Sequence, residues 1–118
     1  PLGKTMVDKN GHITYANETA CKIFNATRKE LLSREFKDKN WKITSVDGKV
    51  IPPDELPVSK IMNTKESVYD YKHYVELKDN KKVLLSINGS PMYTTGGNVS
   101  GAVFTLEDIT EKNKISSK

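Results

Sequence analysis

The chain has 118 residues and a formal net charge of +4, and 36% of its residues are hydrophobic while 29% are charged. This length fits one domain, and the composition is that of a globular chain rather than a disordered one. No apolar run approaches the roughly 18 residues of a membrane span, and the first residues lack the basic-then-apolar pattern of a signal peptide. We therefore expect one soluble domain with no direct membrane insertion.

The soft and ionisable side chains exclude further classes. One cysteine, Cys21, cannot form an internal disulfide, and with only His12 and His73 beside it the chain has too few ligands for a zinc site. The lack of disulfides favours a cytoplasmic location. The lysines are scattered and often neighbour an acid, as in Lys29-Glu30, so they predict a solvated surface and no nucleic-acid binding.

The first third of the chain predicts a hairpin and then two short helices. Residues 5–7 and 12–15 are strand candidates on either side of a turn with Asn10-Gly11, a pair that tolerates positive φ. Asn17 suits the N-cap of a first helix. A second short helix is predicted by the capping box at residues 27–30, in which a threonine hydroxyl and a glutamate carboxylate each accept a backbone N–H.

The middle of the chain carries a weaker pattern. Trp41 and Ile43 alternate with polar residues, and a Pro-Pro pair then interrupts regular structure. We expect a longer helix to open at Asp54. Pro57 fits the first turn of this helix, where its missing N–H does no harm. The apolar stripe of the helix comprises Val58, Ile61 and Met62.

From Ser67 onwards the apolar period is two, which is typical of strands with one buried face. Three such strands joined by short turns predict an antiparallel meander. Their inward positions are Tyr69, Tyr71, His73, Val75 and Leu77 on the first strand, Val83, Leu85, Ile87 and Gly89 on the second, and Ala102, Phe104 and Leu106 on the third.

Asp108 and Glu111 follow the last strand with the spacing of a second capping box. A helix should start here, yet the sequence ends after about two turns of 3.6 residues each, and so short a helix is marginal alone. We expect residues 112–118 to begin a longer helix. The run Asp108-Ile109-Thr110-Glu111 then forms a junction toward a downstream segment.

This order of elements resembles the PAS domain family over nearly the whole chain, from about Met6 to Lys114. Residues 101–112, GAVFTLEDITEK, are similar to the last strand of the family and its Asp-Ile-Thr signalling junction. Residues 8–17, DKNGHITYAN, resemble its opening hairpin and the start of its first helix. Residues 51–57, IPPDELP, are similar to a segment common in PAS domains of bacterial and archaeal sensor kinases.

The resemblance implies an α+β fold in which a five-stranded antiparallel sheet, in the order 2-1-5-4-3, carries short helices on one face. It divides the chain into a flexible or cloning-derived start (1–4), a PAS domain (5–111) and the start of a signalling helix (112–118). The resemblance implies a sensory or relay module of the kind found in histidine kinases, cyclic-dinucleotide enzymes and transcription regulators, and we expect a histidine kinase of a two-component system here. Such modules are often homodimers with an effector domain in the same chain. Here Val103 and Thr105 are expected on the outer sheet face, where a flanking helix or a second protomer would pack.

The period-two pattern also nominates a pocket between sheet and helices. Tyr71 and His73 are its natural polar pair, since a phenol and an imidazole can each donate and accept a hydrogen bond, in a site that is otherwise apolar. The alternative is that both are core residues, satisfied by the backbone or by each other, in a ligand-free dimerisation or relay element. The other predicted ligand-binding residues are Trp41, Ile43, Val58, Met62, Leu85, Ile87, Phe104 and Leu106.

No cofactor is predicted for this pocket, although an unknown small molecule fits the pattern. Haem-binding members of the family generally use an axial histidine on the long helix, and residues 54–65 contain none. Flavin photosensors carry a reactive cysteine in an Asn-Cys-Arg motif, whereas Cys21 follows Thr19-Ala20. The sequence has no phosphate-binding glycine loop and no local Ser-His-Asp grouping, so we expect a regulatory domain rather than an enzyme.

Overall fold

A computed structural model of the chain describes residues 2–33, 42–77 and 80–111. These residues form one antiparallel sheet with helices packed against its inner face. Within them, no helix is long and apolar enough to cross a membrane. A 3-10 turn at Pro53–Glu55 precedes the third helix. The elements are β1 (Gly3–Asp8), β2 (Ile13–Ala16), α1 (Glu18–Phe24), α2 (Arg28–Leu32), β3 (Lys42–Thr44), α3 (Pro57–Thr64), β4 (Val68–Glu76), β5 (Lys82–Tyr93) and β6 (Val99–Asp108).

The sheet in the described part of the chain has six strands in the order β2-β1-β6-β5-β4-β3. The prediction of five strands is therefore wrong by one. The additional strand is β3, whose Ile43 pairs with Val75 of β4. Three residues carry too little period-two signal to predict a strand, because only a partner far along the chain holds them extended. The other five strands have the predicted order 2-1-5-4-3.

Side-chain caps start the first two helices as the sequence predicts. The Oδ1 of Asn17 accepts the N–H of Ala20 at 2.9 Å at the beginning of α1, and it also accepts the N–H of Lys4 in β1 at 2.9 Å. The capping box of Thr27 and Glu30 is present at the beginning of α2. Because Asn17 bonds to both elements, it caps α1 and also ties this helix to β1.

The longer helix begins later than predicted. The 3-10 turn at Pro53–Glu55 is followed by Leu56 in an extended conformation, with φ −67° and ψ 153°, and α3 begins at Pro57. A proline ring disfavours helical backbone at the preceding residue. Pro57 therefore starts α3 and at the same time keeps the turn before it from continuing into the helix.

Strand β4 contains a bulge that breaks the predicted alternation. Asp70 has a positive φ of 48°, and the register with β5 shifts between Val68 and Tyr71. The shift leaves Tyr69 77% exposed, although the period-two pattern places it on the inner face. Asn88 accepts the N–H of Asp70 on its Oδ1 at 2.9 Å. This bond satisfies a backbone group that the bulge removes from the regular ladder.

The core is closely packed under α3. Gly89 of β5 lies beneath this helix, and a Cβ atom built on it would be 2.5 Å from the ring of Phe104 and 2.9 Å from Cδ1 of Ile61. Phe104 and Ile61 are themselves buried. Both distances are shorter than van der Waals contact, so the strand needs glycine at this position to let the helix approach.

Candidate functional site

A cavity of about 30 Å³ lies on the inner face of the sheet, and none of the residues that line it belongs to α3. One water molecule needs about 10–15 Å³ of such space, so the cavity has room for about two waters or a ligand of a few non-hydrogen atoms. Every strand contributes to the lining, which comprises Thr5, Ile13, Phe24, Ile43, His73, Val75, Leu85, Ile87 and Leu106.

His73 is the polar side chain that distinguishes this cavity. It lies on β4 opposite Leu85 of β5, and only 2% of it is exposed. Its Nδ1 is 3.3 Å from the carbonyl oxygen of Tyr74. Its Nε2 is buried and has no hydrogen-bond partner among the described residues. Buried polar atoms are nearly always paired, so an unpaired ring nitrogen beside a cavity points to a missing partner.

The burial of His73 keeps its imidazole uncharged. Desolvation lowers the pKa of His73 to about 4, and the contacts of the ring with backbone carbonyls offset this only in part. A charged imidazole loses its hydration in such surroundings, whereas the neutral form loses much less. At neutral pH the cavity therefore contains a neutral imidazole.

Tyr71 is satisfied by the backbone, which is the alternative that the sequence left open for it. Its hydroxyl donates to the carbonyl oxygen of Glu55 at 2.9 Å, and its ring meets the His73 ring edge-on, with centroids 5.8 Å apart at 72°. Burial and the neighbouring Glu55 carboxylate raise the pKa of Tyr71. Tyr71 does not line the cavity. The expected polar pair is thus divided: Tyr71 ties the 3-10 turn to β4, and His73 faces the cavity.

The remaining predicted site residues fall into four groups. Ile43, Leu85, Ile87 and Leu106 line the cavity together with His73. Phe104 is buried but packs where Gly89 lacks a side chain, and Val58 and Met62 line a separate surface groove beside the turn between β1 and β2. Trp41 lies outside the described residues. Whether any of them contacts a ligand stays a prediction.

Sequence reasoning missed Thr5, Ile13 and Phe24 as lining residues. Thr5 and Ile13 belong to the two strands of the opening hairpin, and Phe24 is the last residue of α1. The signal that could have found them is the apolar pattern of the first hairpin and of the first helix. What the sequence did not reveal is that Phe24, at the end of α1, reaches the cavity while Ile61 of α3 packs beside Gly89.

The predicted junction is bonded to the strand beside the cavity. The N–H of Ile109 donates to the carbonyl oxygen of Leu84 at 2.8 Å, and Oγ1 of Thr110 accepts the N–H of Leu84 at 2.9 Å. The Thr110 hydroxyl donates to Oδ1 of Asp108 at 2.6 Å, and the same oxygen accepts the N–H of Thr110 at 3.0 Å. The backbone is helical at residues 110 and 111. The rest of the predicted helix, 112–118, lies outside the described residues.

An antiparallel sheet with helices over one face and a small cavity between them defines an α+β domain. In the described parts of the chain, no cluster of three His, Cys, Asp or Glu side chains could hold a metal ion. A family model described as PAS domain matches residues 1–111, and the chain belongs to this family of sensory domains. No curated protein sequence matches the chain.

Solved structures share this fold. The PAS domain of a protein from Colwellia psychrerythraea is 15% identical with a TM-score of 0.71, and the match covers 93% of this chain and 87% of that one. A PAS domain from a two-component sensor histidine kinase is 14% identical with a TM-score of 0.65, over 91% and 84% of the two chains. VqmA bound to DPO is 15% identical with a TM-score of 0.65, over 98% of this chain but 55% of that one.

Proposed function

We propose that this PAS domain is the sensory module of a signal-transduction protein, with a histidine kinase as its effector. In this proposal a small molecule binds the cavity, and the junction at residues 108–111 relays its presence to a downstream domain. The observation that carries the proposal is the buried, unpartnered Nε2 of His73 beside an apolar cavity. The similarity to a PAS domain from a two-component sensor histidine kinase supports this choice of effector. A chain with a single cysteine suits the cytoplasm, where we place the domain.

Two short stretches of backbone connect the cavity to the junction and support the proposed relay. Leu106 lines the cavity and lies two residues before Asp108 on β6, and Leu85 lines it immediately after Leu84 on β5. Leu84 holds Ile109 and Thr110 through its backbone. A ligand that moves either leucine therefore displaces the strand ends to which the junction is bonded. Only a change in the equilibrium between two arrangements of this junction would transmit a signal.

A second candidate function is a ligand-free dimerisation element. Met6 of β1 is paired with Val103 of β6 and with Tyr15 of β2, and Tyr15 is 44% exposed. These adjacent side chains on the outer sheet face, with Thr105 beside them on β6, fit a second copy of the chain. Dimerisation itself is compatible with ligand sensing, so only the absence of a ligand separates the two candidates. Light scattering at micromolar concentration of a chain with native flanks tests for the dimer.

A ligand screen tests the sensory proposal. We expect a small metabolite to raise the melting temperature and to appear as a bound mass in native mass spectrometry. Val75→Ile adds a methyl group to the cavity and should reduce this effect. Val50→Ile adds the same group to a side chain that is 80% exposed and serves as the control. A screen in which no metabolite stabilises the protein, or in which both variants respond like the parent chain, contradicts ligand sensing in this cavity.

A further inference from the structure

The ring of His73 also indicates what kind of molecule the cavity accepts. We propose that the ligand is a small uncharged molecule with an apolar body and one hydrogen-bond donor, which Nε2 of His73 accepts. This inference rests on the proposed sensory function and specifies its ligand class. It follows from the tautomer of the imidazole, from the charge of the lining and from the volume of the cavity.

The tautomer follows from what faces each ring nitrogen. Nδ1 of His73 lies 3.3 Å from the carbonyl oxygen of Tyr74, and a carbonyl oxygen only accepts hydrogen bonds. Nδ1 must therefore carry the proton of the neutral ring, because a lone pair on it would face the lone pairs of the oxygen. The unpartnered Nε2 is then an acceptor. It is satisfied by a donor such as O–H or N–H, and not by another acceptor.

The lining excludes a charged ligand. None of the nine lining residues is Asp, Glu, Lys or Arg, and seven of them are aliphatic or aromatic. A charged molecule would lose its hydration without gaining an opposite charge, which costs far more than a neutral donor loses. A ligand made only of polar groups would also leave several of them unpaired against these side chains. The other two lining residues are His73 and Thr5, so one donor on an apolar body matches the Nε2 acceptor in a wall that is apolar apart from the Thr5 hydroxyl.

The volume defines suitable probes. A cavity of about 30 Å³ accepts only a few non-hydrogen atoms without expansion. Ethanol and dimethyl ether are isomers of equal size and differ in that only ethanol has a donor. Ethylammonium has the same number of non-hydrogen atoms and a donor, but it is charged. These three molecules separate the donor, the charge and the apolar body as determinants of binding.

Solution NMR of the ¹⁵N-labelled chain tests the inference with these probes. We expect the Nε2 resonance of His73 to be that of an unprotonated nitrogen and to shift saturably with ethanol. Ethanol should bind about ten-fold or more tightly than dimethyl ether, since only ethanol pairs the buried acceptor. Ethylammonium should produce no saturable shift at the lining residues.

Two variants test which side chain causes the preference for ethanol over dimethyl ether. His73→Phe keeps a ring but removes the acceptor, so the preference for ethanol should disappear. Tyr71→Phe removes the hydroxyl that bonds to Glu55 and should keep the preference. If His73→Phe does not fold, the parent chain still tests the inference, through the Nε2 resonance and through the ratio of its affinities for ethanol and dimethyl ether. A protonated Nε2 at neutral pH, equal binding of the isomers, or tight binding of ethylammonium overturns the inference.

The outcomes distinguish this inference from the broader proposal. A metabolite that stabilises the protein through the cavity but is charged, or lacks a donor, leaves the sensory function standing and refutes the ligand class. If neither ethanol nor any metabolite of the screen enters the cavity, both fail.

Discussion

The two ends of the inner sheet face are packed differently. Under α3, Gly89 has no side chain, and the buried Phe104 and Ile61 occupy the space that a Cβ atom would need. Under α1, a cavity remains, and a polar atom of His73 borders it without a partner. A protein interior is normally filled like a crystal, and its polar atoms are paired. The end that departs from both rules is the end where a binding site is expected.

The largest expected loss of stability comes from removing the ring of Phe104 beneath α3. Phe104→Ala should lower the free energy of unfolding by about 3–5 kcal/mol, the usual cost for a buried aromatic ring. Phe24→Ala is the matched change at the cavity end, where the ring is only half-buried and already borders space. Phe24→Ala should lower the free energy of unfolding by clearly less than Phe104→Ala does. Urea unfolding of both variants measures the difference, and equal losses would show that the two ends are packed alike.

Acid should destabilise the protein through His73. Its pKa is about 4 in the folded chain and about 6.5 in the unfolded chain, so the unfolded state binds more protons between these values. The stability is fully present above pH 6.5, falls as the pH decreases toward 4, and then no longer depends on this group. The total loss is on the order of 3 kcal/mol.

A variant isolates this contribution from those of the carboxylates. His73→Phe should remove the difference in stability between pH 6.5 and pH 4 that belongs to the imidazole, whereas His12→Gln, at a half-exposed position, should keep it. Chemical unfolding at a series of pH values provides the measurement. A His73→Phe variant with an unchanged pH dependence would mean that the ring is not buried as described.

A methyl group at Gly89 should damage the filled end. Gly89→Ala forces a Cβ into the space of the Phe104 ring and should cost about 1–3 kcal/mol, which is typical of overpacking. Gly96→Ala, in the turn between β5 and β6, meets nothing closer than 3.8 Å and is the control. Thermal unfolding should show a lowered melting temperature for the first variant alone. A tolerated Gly89→Ala would imply unused space beneath α3.

The smallest expected effect concerns the junction. Thr110→Val removes the hydroxyl that pairs with the N–H of Leu84 and with Asp108, which should cost about 1 kcal/mol. Thr95→Val, in an exposed turn, is the matched control. Amide hydrogen exchange at Leu84 should accelerate in the first variant only. Unchanged protection there would show that the hydroxyl does not hold the junction.

Local chemistry made much of the fold predictable. Asn17, the capping box at Thr27 and the positive φ of Gly11 at 86° all appear where the sequence indicates them. These features depend on neighbours within a few residues, so a sequence contains all the information they need. Strand β3 and the bulge at Asp70 were not predictable, since both depend on the strand beside them.

The candidate site was predictable in part for the same reason. Alternation places His73, Leu85 and Leu106 on one face, and the structure brings them together around the cavity. The bond from Tyr71 to Glu55 depends on a 3-10 turn that the pattern did not show. Leu84 is 1% exposed but lies outside the core cluster, since it belongs to the opposite face of β5. Periodicity assigns a face but not the segment that covers it.

One measurement tests the account most directly: an ethanol titration of the ¹⁵N-labelled chain, followed at Nε2 of His73 and at the backbone amides of Leu84 and Thr110. If the cavity is the ligand site and the junction is coupled to it, all three resonances shift saturably and give the same dissociation constant. Saturable shifts at His73 with none at the two amides would contradict the relay. The absence of a saturable shift at His73 would contradict a neutral donor as the ligand class, and together with a screen in which no metabolite enters the cavity it would contradict the assignment of the cavity as the ligand site.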